Sequence, residues 1–229
     1  MVGYRATPSS SDPQRHLDAL RRSYDAVADR YAAEISDELA GKPLDRALLD
    51  AFAELCDEGP VADIGAGPGH VGSYLAARGA RVFTIDVSEV MCRRARADHR
   101  LPAAVGNLAR LPVAAASLAG VICFYALIHL NPAERGAAYR EVARVTRPGG
   151  HALLAFHTSD NDVEAGEAKR LTEWWGHPVE LTFQFLDPSE EAHAACLAGL
   201  DLLSRLDREP HGHEHPSRRS YLLLRNRTP

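Results

Sequence analysis

The chain has 229 residues, of which 45% are hydrophobic and 25% charged, with a formal net charge of -5. That composition excludes a disordered polymer and suffices for a substantial core. The acidic balance, with no basic run longer than Arg93-Arg94-Ala95-Arg96 or Arg218-Arg219, argues against tight binding to a nucleic-acid backbone.

Residues 1–15 are polar, with Pro8, Pro13 and three consecutive serines, the composition of a loose tail. Apolar or aromatic residues then recur at 17, 20, 24, 27, 31 and 35, a helical stripe that includes Tyr24 and Tyr31. Gly41 and Pro43 break it, and a second helix is predicted over about 44–55. The most informative stretch follows: Val61-Ala62-Asp63-Ile64-Gly65-Ala66-Gly67-Pro68-Gly69-His70, which reads as strand, tight turn and helix start. Glycines there let the backbone approach a ligand that side chains would block. The spacing is G-x-G-x-G, with His70 where dinucleotide folds carry their third glycine, which disfavours a nicotinamide enzyme.

A helix near 69–78 leads to a strand at 81–86 ending in Asp86, nineteen residues after Gly67. A carboxylate at that place can accept from both hydroxyls of a ribose. Ser88 is expected to cap the next helix, 88–98, leaving Asp86 free for the ribose. Further strands are predicted at 103–107, 118–126 and 151–157, with a helix at 132–146 and a turn Arg147-Pro148-Gly149-Gly150 before the last of these strands. Alternating strands and helices predict a parallel sheet with right-handed crossovers. Residues 158–187 are too long for a bare connection and read as an insert, with a strand at 179–185. A helix at 188–199 and strands at 201–208 and 218–226 complete the chain.

Five motifs in order over residues 60–157 resemble the class I S-adenosylmethionine-dependent methyltransferases: the Asp63–Gly69 loop, the acid Asp86, Gly106-Asn107-Leu108, Leu111-Pro112, and Arg147-Pro148-Gly149-Gly150. The resemblance implies an α/β fold, a doubly wound, seven-stranded, mostly parallel Rossmann-like sheet with an antiparallel last strand and an N-terminal helical lid. It implies one methyltransferase domain over 1–229, divided into a tail (1–15), N-terminal helices (16–56), a cofactor core (57–157), a substrate-side insert (158–187) and a C-terminal helix with two strands (188–229). It implies S-adenosyl-L-methionine as cofactor, with S-adenosyl-L-homocysteine as product. The cofactor residues implied are Asp63, Gly65, Ala66, Gly67, Gly69, Asp86, Val87, Met91, Asn107, Leu108 and Phe124, with Tyr24 and Tyr31 from the lid. Asn107 departs from the usual Asp, but its amide oxygen can still accept from an adenine amino group.

Ligands in open α/β sheets sit beyond the carboxyl ends of the strands. That rule collects Tyr125, His129, His157, the insert and the 209–217 connection on one rim. His157 and His129 are the candidate bases, since an imidazole near neutrality can deprotonate a phenol or alcohol. Tyr125 joins them as a catalytic candidate and also, with Trp174, Trp175 and Glu214, as a substrate-binding one; aromatic walls suit an apolar acceptor. Glu214 ahead of Arg218-Arg219-Ser220-Tyr221 resembles a substrate-side strand of some relatives. The His211-Gly212-His213-Glu214-His215 run has metal-binding residue types but poor spacing for tetrahedral closure between Pro210 and Pro216, and Asp160-Asn161-Asp162 matches only part of a catechol-type metal set; no metal is expected. The aromatic [Asp/Asn]-Pro-Pro signature of base-methylating enzymes is absent after the fourth strand, where Cys123-Phe124-Tyr125-Ala126 stands.

The expectation is a methyltransferase acting on an O or N atom of a small, partly apolar molecule, of natural-product or detoxification type. RNA or protein methylation, or a non-methylating use of the same cofactor, are the alternatives. Four scattered cysteines without C-x-x-C, no N-terminal apolar core and no apolar run long enough to span a bilayer lead to the expectation of a cytoplasmic protein, monomer or homodimer, with no membrane partner.

Overall fold

The computed structural model describes residues 13–56, 59–212 and 214–227. It opens with the long helix α1 (Pro13–Ile35), a 3-10 turn (Glu38–Gly41) and α2 (Pro43–Leu55). Strand and helix then alternate as β1 (Pro60–Ile64), α3 (His70–Ala76), β2 (Arg81–Asp86), α4 (Glu89–His99), β3 (Ala103–Val105), β4 (Leu118–Phe124), α5 (Pro132–Val145) and β5 (Thr146–Asp160). A hairpin of β6 (Ala168–Trp174) and β7 (His177–Gln184), then α6 (Pro188–Leu197), β8 (Leu200–Arg208) and β9 (Ser217–Asn226), follow.

Seven strands form one sheet in the order β3-β2-β1-β4-β5-β9-β8, and β6-β7 stand apart as a two-stranded sheet. β9 runs antiparallel between β5 and β8, while β1 to β5 pair in parallel. This is the doubly wound architecture with an antiparallel last strand. The central strands read as nearly continuous apolar runs because helices cover both faces. In β4, Val121 and Cys123 join the cluster under α5 and α6, whereas Ile122 between them joins Leu49, Phe52 and Leu75 of α2 and α3 on the other face. Helix starts follow the side chains that satisfy their free N–H groups. Ser88 Oγ accepts from Met91 N at the head of α4, Asn131 and Glu134 form a reciprocal cap on α5, and Asp187 caps α6.

Four expectations need correction. The Arg147–Gly150 stretch is not a turn ahead of a strand but the irregular start of β5: Thr146 pairs with Leu118, and the register then shifts before His151 pairs with Gly120. β5 extends to Asp160 because β9 pairs with it as far as Ser217. The insert contains two strands instead of one. In the Ala168–Trp174 strand a charged residue, Lys169, takes a half-buried position and the register shifts between Leu171 and Glu173, which breaks the alternation. Of the tail expected over residues 1–15, only residues from Pro13 are described, and they are already helical.

α1 lies against the hairpin. Val27 packs with Val179 and Leu181, flanked by Tyr24, Tyr31 and Trp174. Ser23 Oγ accepts from Glu180 N at 2.8 Å and donates to Ala19 O at 2.8 Å. At the other side Ser88 Oγ donates to Asp25 at 2.5 Å, fixing α1 to the start of α4. The N-terminal helix and the insert therefore form one roof above the carboxyl ends of β1, β2, β4 and β5. Among the described residues, no helix is long and apolar enough to cross a membrane.

Candidate active site

The roof and the strand ends enclose a cavity of about 850 Å³. Its floor is the glycine loop after β1. Gly65 and Gly67 have φ of +65° and +54°, values that side chains resist. A Cβ on Gly65 would collide with the Ala126 methyl, and one on Gly67 would come within 3.6 Å of the Tyr31 ring. Asp86, at the end of β2, holds this loop: Oδ2 accepts from Gly67 N and Oδ1 from Ser88 N, each at 2.8 Å. Asp86 is thus not left free by the Ser88 cap, since each oxygen already takes one N–H. A carboxylate offers about four lone-pair sites, so two remain for a diol. Burial pushes its pKa up to about 6 against the backbone N–H groups of Ser88, Gly67 and Val87. Asp63 sits beneath, accepting from Gly72 N at 2.9 Å and raised by burial to about 7.

Gly65, Ala66, Gly67, Asp63, Asp86, Val87, Asn107, Leu108 and Phe124 all line the cavity. Gly69 and Met91 do not. Gly69 turns the chain into α3 at φ +88°, and Met91 is fully buried with its N–H on Ser88. Asn107 Oδ1 accepts from Ala109 N at 2.9 Å. The oxygen expected to meet an adenine amine is therefore partly used within the loop.

Tyr24 and Tyr31 project from α1 into the cavity, edge to face with one another and with Trp174 at centroid separations of 5.6–6.2 Å. Trp175 is not a wall of the cavity. It stacks on the outer side of Trp174 at 4.7 Å, is 37% exposed, and carries Arg30 over its ring. Its φ of +53°, in the tight turn between β6 and β7, turns it away.

The three catalytic candidates meet at the carboxyl ends of β4 and β5, but neither histidine has the near-neutral character expected of a base. His129 is buried, and burial pushes it down to about 4. Its Nδ1 faces Thr182 O at 3.1 Å, and its Nε2 faces Tyr24 Oη at 2.7 Å. A carbonyl only accepts, so Nδ1 carries the single proton of the neutral ring and Nε2 accepts from Tyr24. Burial, with Arg219, His215 and Lys42 nearby, holds His157 down at about 3. It shares a hydrogen bond with Ser217 Oγ at 2.8 Å and stacks on Tyr125 at 4.7 Å. Tyr125 itself has φ +59°, a strained conformation of the kind found at ligand sites.

Several lining residues carried no usable sequence signal. Glu38 bridges His70 Nε2 and Lys42 Nζ, each at 2.7 Å. Burial alone would raise its pKa, but His70 and Lys42 bring it to about 2. His70 was visible beside the glycines, yet its partner lies 32 positions away. Glu214 lines the cavity but is engaged by Arg208 at 2.6 and 2.7 Å, by Arg219 at 3.3 Å and by His211 N. Burial opposes its ionisation, and Arg208 nonetheless holds it at about 2. Arg208 also reaches Asp45 of α2 at 2.6 Å. His211 and His215 line the same mouth, while His213 lies outside the described residues.

Comparisons with known proteins agree with this architecture. Residues 61–150 match the family model described as a methyltransferase domain. The chain is 30% identical over 213 residues to the biotin biosynthesis bifunctional protein BioHC of Cellvibrio japonicus, covering 86% of this chain and 42% of that protein. It is 28% identical to the ubiquinone/menaquinone biosynthesis C-methyltransferase UbiE of Rubrivivax gelatinosus, covering 80% and 67%. The chain thus spans less than half the length of the first of these relatives. Among solved structures, the Burkholderia thailandensis 1,6-didemethyltoxoflavin-N1-methyltransferase, with 1,6-didemethyltoxoflavin and S-adenosylhomocysteine bound, superposes with a TM-score of 0.75 at 20% identity over 97% of this chain and 94% of that one. Residues 61–150 thus form a methyltransferase domain, and the chain has the fold of the class I S-adenosylmethionine-dependent methyltransferases.

Proposed function

We propose that the chain binds S-adenosyl-L-methionine and transfers its methyl group to an oxygen or nitrogen atom of a small, partly apolar molecule of natural-product or detoxification type. The observation that carries this reading is the continuity of the cavity. The glycine cradle with Asp86 at one end opens directly into an aromatic chamber bounded by Tyr24, Trp174, Tyr125 and Phe185. A volume of 850 Å³ lies at the upper end of the range of about 300–1,000 Å³ usual for small-ligand sites. That leaves room for a nucleoside cofactor and a compact acceptor.

The cradle fits the cofactor. Gly65 and Gly67 keep the loop free of side chains, Asp86 retains lone pairs for a ribose diol, and Val87, Leu108 and Phe124 supply apolar surface for a base. The bound cofactor supplies an electrophilic methyl group on a sulfonium. The residues of this chain orient the acceptor, exclude water through the α1–hairpin roof, and take charge of any proton the acceptor loses. The resemblance to a protein holding 1,6-didemethyltoxoflavin supports a small heterocyclic or aromatic acceptor over a macromolecule.

The test uses methyl-labelled S-adenosylmethionine, the purified protein and a bacterial cell extract, with small molecules separated from protein and nucleic acid. Label in a small compound is the expected outcome. Label confined to macromolecules would overturn the acceptor class, and absence of both transfer and S-adenosylhomocysteine binding would overturn the reading altogether.

A further inference from the structure

Tyr221, fully buried on β9, has one hydroxyl proton and three polar neighbours: Asp45 Oδ1 at 2.8 Å, Arg208 Nε at 3.2 Å and Tyr125 Oη at 3.2 Å. Donor and acceptor roles follow from the groups themselves. The Asp45 carboxylate, paired with Arg208 at 2.6 Å, accepts, so the Tyr221 proton points to Asp45. A guanidinium only donates, so Arg208 Nε gives its proton to Tyr221 Oη. The proton between the two phenols is therefore that of Tyr125. The chain has one direction, from the cavity through Tyr125 and Tyr221 to Asp45. Tyr125 Oη keeps only lone pairs for the cavity that the residue lines.

Two further features suit this chain to accept a proton. Asp45 is completely buried, and its Oδ2 has no hydrogen-bond partner among the described residues, so the carboxylate has unused acceptor capacity. Tyr125 is held in place by the His157 ring on one side, by Lys42 Nζ 5.5 Å from its ring centre, and by its N–H on Ala155 O. Of the nearby imidazole nitrogens, His129 Nε2 takes the Tyr24 proton, and His157 Nδ1 is hydrogen-bonded to Ser217 Oγ.

We propose that the acceptor's reacting atom is a protonated oxygen or nitrogen, and that its proton leaves along Tyr125, Tyr221 and Asp45. This rests on the methyl-transfer reading above. The acceptor's O or N forms the new bond to the methyl carbon, and the C–S bonding pair stays on sulfur. The acceptor's proton passes to Tyr125 Oη, the Tyr125 proton to Tyr221 Oη, and the Tyr221 proton to the Asp45 carboxylate. The total charge of the enclosed site is unchanged, because the positive charge of the sulfonium disappears as Asp45 is neutralised. Tyr125 is the catalytic residue of this scheme, with Tyr221 and Asp45 acting through it.

The probes are 4-methylphenol, which is protonated at neutral pH because its pKa is about 10, like that of tyrosine, and N,N-dimethylaniline, which has no proton to lose. Both are offered with methyl-labelled S-adenosylmethionine to the wild type and to the Tyr125→Phe, Tyr221→Phe and Tyr125→Phe/Tyr221→Phe proteins. Expected results are a loss of at least tenfold in turnover of 4-methylphenol in each single variant, little further loss in the double variant, and a proton inventory in mixed H₂O and D₂O that is curved for the wild type and linear for Tyr221→Phe. S-adenosylhomocysteine affinity is expected to stay within twofold, and turnover of N,N-dimethylaniline to be unaffected by Tyr221→Phe. Equal losses on the two acceptors, or no loss on 4-methylphenol, would overturn the relay while leaving methyl transfer intact. A wild type that methylates neither compound counts against the small-aromatic acceptor reading. The chain is then decided by proton NMR of the S-adenosylhomocysteine-saturated protein. Exchange-protected downfield signals assigned to the Tyr125 and Tyr221 hydroxyls by their loss in the corresponding Phe variants, with the Tyr125 signal displaced by Tyr221→Phe, support it, and their absence overturns it. Tyr221→Phe is the primary variant because Asp45→Asn would also disturb the buried Arg208 pair.

Discussion

Tyr24 Oη donates to Nε2 of His129 at 2.7 Å, across 105 positions of sequence. The same imidazole donates from Nδ1 to Thr182 O at 3.1 Å. One neutral ring thereby ties the lid helix α1, the end of β4 and the β6–β7 hairpin together above the cavity. His129, read from the sequence as a base, is in this geometry the pin of the roof.

Removing the Tyr24 hydroxyl should therefore loosen the roof without removing a ring. Tyr24→Phe leaves His129 Nε2 buried without a donor, which costs about 1–3 kcal/mol. The expected outcome is S-adenosylhomocysteine binding weakened by roughly tenfold, chiefly through faster dissociation. Stopped-flow displacement measures it, and an unchanged dissociation rate would count against a coupled roof.

Asp86→Ala should weaken S-adenosylhomocysteine binding by about 100-fold or more. The variant removes the ribose acceptor and also frees Gly67 N and Ser88 N, both held by Asp86 at 2.8 Å. Asp86→Asn separates the two effects, since its amide oxygen can still accept one of those N–H groups. Titration calorimetry on the two variants and the wild type checks the order wild type, Asn, Ala in decreasing affinity.

His157 makes a signed contribution to pH dependence. Its pKa in the folded state is held down at about 3 by burial and by the cations Arg219 and Lys42, against about 6.5 in the unfolded chain. The unfolded state thus binds the proton first, and stability falls as pH drops below about 6.5. Between pH 7.5 and 5.5 that single group accounts for about 1.4 kcal/mol of lost stability. Asp63 and Asp86, raised by burial, act in the opposite sense. The clean measurement is therefore a difference: urea unfolding of the wild type and His157→Asn at both pH values, with the variant expected to lose about 1.4 kcal/mol less on acidification.

The two tryptophans should separate cleanly. Trp174 packs against Tyr24, Tyr31 and Phe183, and its replacement by Ala should cost about 3 kcal/mol of stability and widen the cavity. Trp175 lies outside on its neighbour, and its replacement should cost about 1 kcal/mol or less. Thermal melts and S-adenosylhomocysteine affinity measured for both variants test the contrast, and comparable losses would contradict the assignment of Trp174 alone to the cavity wall.

The local pattern carried most of the architecture. Apolar runs at β1, β2 and β4, the helical stripe of α1 and the cap Ser88 are all short-range consequences of backbone hydrogen bonding and side-chain burial. The glycine loop was legible for the same reason, because only glycine relieves the backbone at Gly65. β6 escaped because Lys169 on its inner face and a register shift after Leu171 break its period, and the start of β5 escaped because Pro148 and the glycines after it imitate a turn.

What the sequence determined by itself was the fold class, the glycine cradle and the rim on which Tyr125, His129 and His157 would gather. Only the tertiary structure decided what those residues are able to do. Protonation and hydrogen-bond direction depend on neighbours brought from far along the chain: Thr182 fixes the tautomer of His129, Arg219 and Lys42 depress His157, and Asp45, 176 positions from Tyr221, orients the two phenols. Local periodicity records which face of an element is buried, whereas the dielectric and the charges that surround a buried group are set by long-range packing.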